Sequence, residues 1–294
     1  MQKRIAKTPE QWGIVLKIGS GICFAAMFAI IKWLGGTVPL GEVVFFRSFF
    51  ALIPLVAFLL ISSDFPAGLK TRYPGKHLVR CVLGTLAMFF AFATLRYLPI
   101  AEATAISYLS PVILVILATL FLKEAVSRQR LFGVGLGLLG LALMTLPNFS
   151  ATADSQTLIG VSLALMSAIL IAAALLQVRQ LSKMGENAAA IAFYFALTST
   201  AMGIVTIFAG WSMPSLSEWM LLISTGLLGG VAQILMTLAF KYAEASAMAP
   251  YDYLSIVWAV LIGIVFFGEI PGAFFWLAMP VILLGAYVAR PREG

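Results

Sequence analysis

The sequence RYLPIAEATAISYLSPVILVILATLFLKE, residues 96–124, has a counterpart later in the chain. Displaced by 145 residues without a gap, it aligns with KYAEASAMAPYDYLSIVWAVLIGIVFFGE, residues 241–269. The identical pairs include Tyr108 with Tyr253, Leu109 with Leu254, Ser110 with Ser255, Phe121 with Phe266, Glu124 with Glu269 and, outside the stretch, Gly84 with Gly229. An apolar composition produces scattered Leu and Ala matches, but Tyr, Ser, Gly and Glu seldom coincide in one register. The pattern therefore indicates two copies of one unit.

The composition is that of an integral membrane protein. Of the 294 residues, 62% are apolar and 11% are charged, with a mean hydropathy of +1.03. Soluble domains are about half apolar and one quarter charged. The length allows about ten apolar helices of roughly 20 residues, with little chain left for a soluble domain. The net charge is +7, and the positive residues lie between apolar runs. The expected partner is therefore the lipid bilayer, and no nucleic-acid partner is expected.

Ten apolar segments can be marked, and each is interpreted as a helix because single strands leave backbone groups unsatisfied in lipid. The segments are 13–34, 41–61, 78–97, 100–122 and 131–147 in the first copy, and 158–180, 187–209, 218–240, 246–267 and 273–289 in the second. We therefore predict two five-helix domains, residues 12–147 and 158–290. An odd number of helices reverses the second copy. The predicted fold is all-α, with ten transmembrane helices as two inverted five-helix repeats.

The distribution of Lys and Arg predicts the orientation of these helices. With the N-terminus in the cytoplasm, 15 of the 19 basic residues fall on the cytoplasmic side. They are Lys3, Arg4, Lys7, Lys70, Arg72, Lys76, Arg80, Lys123, Arg128, Arg130, Arg179, Lys183, Lys241, Arg290 and Arg292. The loops at 148–157 and 210–217, on the opposite side, contain no Lys or Arg. The chain is therefore predicted to lie in the cytoplasmic (inner) membrane, with both termini cytoplasmic.

Several short motifs carry a resemblance to a known family. They are Phe45-Phe46-Arg47, YLPIAEATA (97–105), Tyr108-Leu109-Ser110-Pro111 and Leu122-Lys123-Glu124 in the first copy, and AMAPYDY (247–253) and FGEIP (267–271) in the second. With these motifs the chain resembles the drug/metabolite transporter superfamily, in the ten-helix type built from two EamA domains. The resemblance covers essentially the whole chain. It implies a central cavity lined by helices one to four and six to nine, with helices five and ten at the periphery.

Relatives of this type export amino acids, aromatic compounds or drugs, or import riboflavin, S-adenosylmethionine or other metabolites. The resemblance therefore implies a secondary transporter of a small organic metabolite by alternating access, the solute being amino-acid-like, a vitamin such as riboflavin, or otherwise ring-bearing.

Glycines between 133 and 140 put small residues on a face of helix five, which favours close packing within the chain or between subunits. A homodimer through helices five and ten is accordingly predicted.

Charged residues inside apolar segments are candidate solute contacts, because each costs about 2.5–3.5 kcal/mol to insert into a bilayer. Arg47 lies in the second segment, and its candidate partners are Glu42 and an anionic group of the solute. The alternative to a solute contact is a structural arginine held by backbone carbonyls and Glu42. Asp252, in the ninth segment, is suited to a cationic group or a proton, and Lys17 is its candidate partner in a structural salt bridge. Asp252 aligns with Ser107, so the two copies differ where a solute would be held.

Aromatic residues offer flat apolar surfaces with polar tips, which suit a ring-bearing solute. We predict solute contacts from Tyr108 and Tyr253, which align with each other, and from Tyr251 and Trp258. An aromatic stripe at helical spacing also serves packing or lipid contact, so that alternative stays open for each residue.

Three titratable residues near helix ends are assigned structural roles. Lys32 is expected to reach water, Glu269 to anchor a neighbouring loop, and His77 to be solvated at the cytoplasmic mouth.

No cofactor and no metal are expected. The chain lacks a phosphate-binding Gly-Lys-Ser loop, has no cluster of metal ligands, and has a single histidine, which does not support a Ser-His-Asp site. The chain is therefore predicted not to be an enzyme. The alternatives to a metabolite transporter are a drug or amino-acid exporter of the same fold, a membrane-embedded enzyme and a channel. Importers and exporters share this architecture, so both directions stay open.

Overall fold

The computed structural model describes residues 9–62, 65–107, 109–122, 128–145, 155–243, 248, 251 and 254–288. Every regular element among these residues is helical. The α-helices are α1 Pro9–Leu34, α2 Leu40–Ile61, α3 Pro74–Thr94, α4 Ile100–Ser107, α5 Leu109–Leu122, α6 Arg128–Thr145, α7 Ser155–Lys183, α8 Ala188–Ile204, α9 Leu216–Tyr242, α10 Leu254–Phe267 and α11 Ala273–Val288. Two short 3-10 helices, Ala67–Leu69 and Val205–Ala209, follow α2 and α8. The prediction of an all-helical chain is confirmed for these residues.

Six helical segments in the described part of the chain are long and apolar enough to cross a membrane. They are Pro9–Leu34, Leu40–Ile61, Pro74–Thr94, Ser155–Lys183, Ala188–Ala209 and Leu216–Tyr242. Shorter apolar helices, among them Leu254–Phe267, accompany them. The chain is thus a multi-pass membrane protein.

Helix α3 begins four residues before its apolar run. Pro74 occupies the start of the helix, where its fixed φ suits the first turn and its missing N–H would have no partner. The apolar run starts only at Leu78, so the first turn of α3 is polar and includes Lys76 and His77. A search for apolar runs misses such a turn.

The principal helix contacts join the first half of the chain to the second. Helix α1 packs on α9, α2 packs on α8 and α9, α3 packs on α7, α5 packs on α7, and α6 packs on α11. Two large clusters of buried apolar side chains result. One includes Met27, Ile31, Phe92 and Leu98, and the other includes Leu114, Leu181, Phe240 and Met248. The core therefore lies between the two halves.

Small residues allow the closest of these contacts. Helices in lipid gain little from the hydrophobic effect on pairing, so they depend on close packing. A Cβ on Gly230 of α9 would lie 2.5 Å from Cγ of Pro54 and 2.7 Å from the carbonyl oxygen of Ala51 on α2. One turn earlier, a Cβ on Gly226 would lie 2.3 Å from Cβ of Phe50. Glycine at both positions sets the distance between α2 and α9.

The glycines of α6 are used in the same way within the chain. A Cβ on Gly285 of α11 would lie 2.6 Å from the carbonyl oxygen of Gly133 and 2.9 Å from the backbone nitrogen of Gly137. Helices α6 and α11, the fifth and tenth predicted segments, therefore pack on each other in one chain. The homodimer through these helices stays a prediction.

Candidate functional site

A cavity of about 240 Å³ lies between helices of the two halves. Residues of α1–α5 and of α7–α10 line it, whereas α6 and α11 contribute none of the described lining residues. This agrees with the arrangement that the family resemblance implies. The apolar wall includes Phe24, Phe28, Met88, Phe92, Leu175 and Met236, and the polar lining includes Ser107, Ser110, Ser167, Gln233 and Ser255. Ser110 and Ser255 hold equivalent positions in the two aligned copies.

Arg47 extends into this cavity from α2. The residue is 2% exposed, and its guanidinium carbon lies 5.7 Å from the ring centroid of Phe195 on α8. Its Nε and Nη1 have no hydrogen-bond partner among the described residues. Gly229 of α9 makes room for the guanidinium, since a Cβ there would lie 2.8 Å from Nε. Arg47 is thus a buried cation whose donors are available to a molecule in the cavity.

The predicted pairing of Arg47 with Glu42 is wrong. The carboxylate of Glu42 accepts hydrogen bonds from the backbone nitrogen and the hydroxyl of Ser212, at 3.0 and 3.4 Å. Residues five positions apart on a helix point to different faces, whereas residues three or four apart are neighbours. Glu42 is therefore not the partner of Arg47, and the solute contact of Arg47 stays a prediction.

A second arginine, Arg80 of α3, reaches the same cavity. It is 3% exposed, and its guanidinium carbon lies 4.3 Å from the ring centroid of Phe195. Its Nη2 donates to Oε1 of Gln233 at 3.5 Å, at the outer limit of a hydrogen bond, and no residue in the described ranges accepts from its Nε. A Cβ on Gly84 would lie 2.0 Å from Nη1. Arg80 was assigned to the cytoplasmic side for its charge, but its side chain is buried, because Arg80 lies in the second turn of α3 and faces the cavity.

Lys17 of α1 is the third basic residue of the cavity wall. It is 5% exposed, and its Nζ lies 5.1 Å from the ring centroid of Phe240. Its predicted partner, Asp252, lies outside the described residues. None of the described residues that line the cavity carries a carboxylate. The described lining residues thus include three basic side chains and no acidic one.

The sequence-predicted solute contacts fall into three groups. Arg47 lines the cavity. Tyr108, Asp252 and Tyr253 lie outside the described residues. Tyr251 and Trp258 are half-buried and are not among the lining residues. Two other residues of the ninth predicted segment, Ser255 and Ala259, do line the cavity.

Sequence reasoning missed Arg80, Gln233 and the aromatic wall. The aromatic side chains among the described lining residues are phenylalanines, namely Phe24, Phe28, Phe92 and Phe195. For Arg80 a signal existed in the sequence, because Gly84 follows one helical turn later and leaves space for a long side chain.

The profile of the EamA-like transporter family matches residues 11–146 and 158–290. The chain belongs to this family. It is 31% identical over 283 residues to the pseudopaline exporter CntI of Pseudomonas aeruginosa, covering 95% of this chain and 96% of the relative. It is 30% identical over 283 residues to a riboflavin transporter of Rhizobium johnstonii, covering 96% and 91%. A solved crystal structure of 20% identity has the same fold, with a TM-score of 0.76 over 94% of this chain and 96% of that one.

One polar contact between the halves of this EamA-like chain is formed by Glu269, and we name it the Glu269 clamp. Its carboxylate makes an ion pair with Lys32 at the end of α1 and accepts a hydrogen bond from the backbone nitrogen of Ile100 at 3.2 Å. The Lys32 and Glu269 side chains are 17% and 22% exposed. The expectation that Lys32 only reaches water is wrong, whereas Glu269 anchors the start of α4 as well as α1.

A second contact, the Glu186 clamp, joins the start of α3 to the connection between α7 and α8. Oε2 of Glu186 lies 3.0 Å from Nε2 of His77, and Oε1 accepts from the backbone nitrogen of Arg72 at 3.3 Å. His77 is 3% exposed and packs edge-on against Tyr194, whose hydroxyl donates to the carbonyl of Leu69 at 2.6 Å. The expectation that His77 is solvated is wrong, because a loop of the second half covers it.

Burial raises the pKa of the Glu186 carboxyl, but hydrogen bonds from His77, Thr71 and the Arg72 backbone outweigh burial and hold this pKa below its usual value. The ionised form of Glu186 is thus favoured in the clamped state.

His77 lies near the beginning of α3 and Ile100 lies just beyond its end. The two clamps are therefore at opposite ends of the bundle, roughly 25 Å apart along the axis of α3.

Proposed function

We propose that this EamA-like chain is a secondary transporter that moves a small organic metabolite across the cytoplasmic membrane by alternating access. The observation that carries the proposal is the position of the cavity. It lies between the two halves of the chain, and a polar clamp between those halves is present at each end. Relative motion of the halves that breaks one clamp while keeping the other would open the cavity to one side at a time.

The proposed motion needs two structurally similar halves of opposite orientation. We propose ten transmembrane helices as two inverted five-helix repeats, residues 12–147 and 158–290. Support comes from the family profile, which matches the chain twice, and from the paired serines Ser110 and Ser255 in the cavity. An inverted pair of repeats has two packings of similar energy, one open to each side.

The end of the bundle that carries the Glu186 clamp is proposed to face the cytoplasm. Lys70, Arg72, Lys76 and Lys183 lie around this clamp, and positive residues concentrate on the cytoplasmic side of bacterial membrane proteins. The Glu269 clamp then faces the opposite side, and both termini lie in the cytoplasm. Accessibility of a terminal tag to protease in intact cells, compared with inverted vesicles, tests this orientation.

The solute is proposed to contact Arg47 together with Tyr108, Tyr251, Asp252, Tyr253 and Trp258. Arg47 has the strongest support, because it is buried, lines the cavity and has unpartnered donors. Asp252→Asn tests the acidic member of the set. This change is expected to alter transport while leaving thermal unfolding unchanged, and full transport activity in the variant removes Asp252 from the site.

Counterflow in proteoliposomes is the direct test of transport. Vesicles that contain the purified protein and one unlabelled candidate metabolite are expected to accumulate the labelled form of that metabolite transiently. Vesicles without protein, and vesicles with protein but no internal metabolite, are the controls. Absence of saturable exchange for every amino acid, vitamin, nucleoside and drug tried would contradict the proposal. A single-channel current would favour a channel instead.

Direction follows from gradients and from relative affinities on the two sides rather than from the architecture. An exporter of drugs or amino acids is the second form of the same proposal, and the named relatives include an exporter.

The predicted homodimer through helices five and ten is tested by cross-linking in membranes and by the molecular mass of the purified protein in detergent.

A further inference from the structure

We propose that the solute is an organic anion, and that its carboxylate or phosphate group is held between the guanidinium groups of Arg47 and Arg80. This inference rests on the proposed transport function, and it names the chemical class of the solute. It starts from two cations that the described residues of the protein leave unsatisfied.

Both arginines are almost fully buried, at 2% and 3% exposure. In the part of the chain that the structure describes, Nε and Nη1 of Arg47 and Nε of Arg80 have no hydrogen-bond partner, and the bond from Arg80 to Gln233 is long at 3.5 Å. A buried charge is costly unless it is paired and hydrogen-bonded. Arginine does not relieve this cost by losing its proton. The acceptor therefore lies outside the described residues, and we assign it to the solute.

The two guanidinium groups share one ring. Their carbons lie 5.7 and 4.3 Å from the centroid of Phe195. Like charges beside one ring repel each other, so an anion near both removes an unfavourable interaction and forms favourable ones. Guanidinium groups present several N–H donors in a plane, which matches the paired oxygens of a carboxylate or phosphate.

A pair of glycines provides the space for the two arginines. Gly84 and Gly229 are equivalent in the aligned copies, and each lies against one guanidinium group. A Cβ on Gly84 would lie 2.0 Å from Nη1 of Arg80, and a Cβ on Gly229 would lie 2.8 Å from Nε of Arg47. The charges themselves are not duplicated, since Arg47 aligns with Ala192 and Arg80 with Thr225. The two copies thus share the glycines, but only the first copy carries the two arginines.

The remaining wall indicates the other part of the solute. Phe24, Phe28, Met88 and Phe92 form an apolar surface in the same cavity. A solute that fits this cavity combines an anionic group at the arginines with an apolar or aromatic body.

Ligand-induced thermal stabilisation of the purified full-length protein tests the proposal. The probes are the anionic, neutral and cationic fractions of a low-molecular-weight bacterial extract, separated by ion exchange, and unfolding is followed through the six tryptophans. The anionic fraction is expected to raise Tm, because a ligand that binds the folded state stabilises it. Arg47→Gln and Arg80→Gln are each expected to weaken this effect, requiring about tenfold more of the fraction for the same shift.

Two further readouts separate a binding role from a structural one. Arg47→Gln is expected to leave Tm without ligand unchanged or higher, because the substitution removes an unpaired buried charge. Gly229→Ala keeps the charge but displaces the guanidinium, and is expected to reduce the anion-induced shift. Gly19→Ala is the matched control, since its Cβ would meet only Cδ1 of Leu235 at 3.5 Å, and it is expected to keep the full shift. Phosphatase treatment of the anionic fraction distinguishes a phosphate ester from a carboxylate.

The proposal is overturned if the anionic fraction produces no shift, if only the neutral or cationic fraction stabilises the protein, or if both arginine variants respond as the unaltered protein does. Its failure is distinguishable from failure of the transport function. Counterflow of a neutral or cationic metabolite, without stabilisation by anions, contradicts the anion site and leaves transport standing. Stabilisation by anions without counterflow of any metabolite supports the anion site and contradicts transport.

Discussion

Removal of the Glu186 clamp is expected to open one end of the cavity. In Glu186→Ala the carboxylate that lies 3.0 Å from Nε2 of His77 is lost, and so is the acceptor for the backbone nitrogen of Arg72. The His77 and Glu186 side chains are 4% and 7% exposed, so water does not readily replace the lost partner. His77 Nδ1 has no hydrogen-bond partner in the clamped state, which leaves the ring dependent on Glu186.

The size of the effect follows from the burial of this contact. Leaving a buried polar group without its partner costs about 1–3 kcal/mol. If the clamp exists only in the state that is closed at this end, the whole cost falls on that state. The equilibrium between closed and open forms then shifts by roughly 5- to 150-fold toward the open form.

The accessibility of a cysteine in the cavity measures this shift. Ala174→Cys introduces a thiol on the α7 wall of the cavity, in a chain whose Cys23 and Cys81 are replaced by Ala. A membrane-impermeant thiol reagent, applied from the side of the Glu186 clamp, is expected to react at least about fivefold faster in Glu186→Ala.

Glu269→Ala is the matched control, because it removes the clamp at the opposite end. It is expected to slow labelling from the side of the Glu186 clamp and to speed labelling from the other side. An unchanged rate in Glu186→Ala, or an effect of the same sign in both variants, would refute the assignment of the two clamps to alternate states.

Three further predictions concern packing, pH and helix capping. Gly230→Ala forces α2 and α9 apart, because its Cβ would lie 2.7 Å from the carbonyl oxygen of Ala51; it should cost about 1–3 kcal/mol and lower Tm in detergent, whereas an equal Tm in Gly230→Ala and Gly19→Ala would contradict this contact. The pKa of Glu186 lies below its ordinary value of 4.5, so its stabilising effect is present above pH 4.5 and is lost as pH falls through the lowered pKa. The Tm difference between the unaltered protein and Glu186→Gln should therefore shrink on acidification below that pH, and a difference that grows would reverse the sign of the argument. Ser215 and Glu218 form a capping box at the start of α9, so Ser215→Ala should cost about 1 kcal/mol and Ser215→Asp should retain most of the stability, as thermal unfolding of the two variants would reveal.

Much of the helical framework was predictable because hydropathy is a local property. The apolar runs 41–61, 158–180 and 218–240 lie within α2, α7 and α9 and end within three residues of them. The length of each run matches the thickness of the bilayer, so each run can be recognised without reference to the helices that pack against it. The same local reasoning identified Arg47, because a charge inside an apolar run requires a partner or a cavity.

The partners of the side chains were not predictable in this way. Arg80 lies near the start of the predicted segment 78–97 and was assigned to the cytoplasmic side, but the rotation of α3 directs its side chain toward Phe195. His77 resembles a solvated residue, until Glu186, 109 residues further along the chain, covers it. Glu42 and Arg47 are close in sequence but lie on different faces of α2.

Hydropathy along the chain thus established an apolar, helical protein that crosses the membrane several times, and the motifs established its family. Which cations meet in one cavity, and which acids join the two halves, depends on the rotation and spacing of neighbouring helices. Contacts between distant segments, such as Gly230 against Ala51 and Gly229 against Arg47, fix that rotation and spacing. Such contacts form only when the two halves pack together, and the hydropathy of one segment does not identify the helix on which that segment packs.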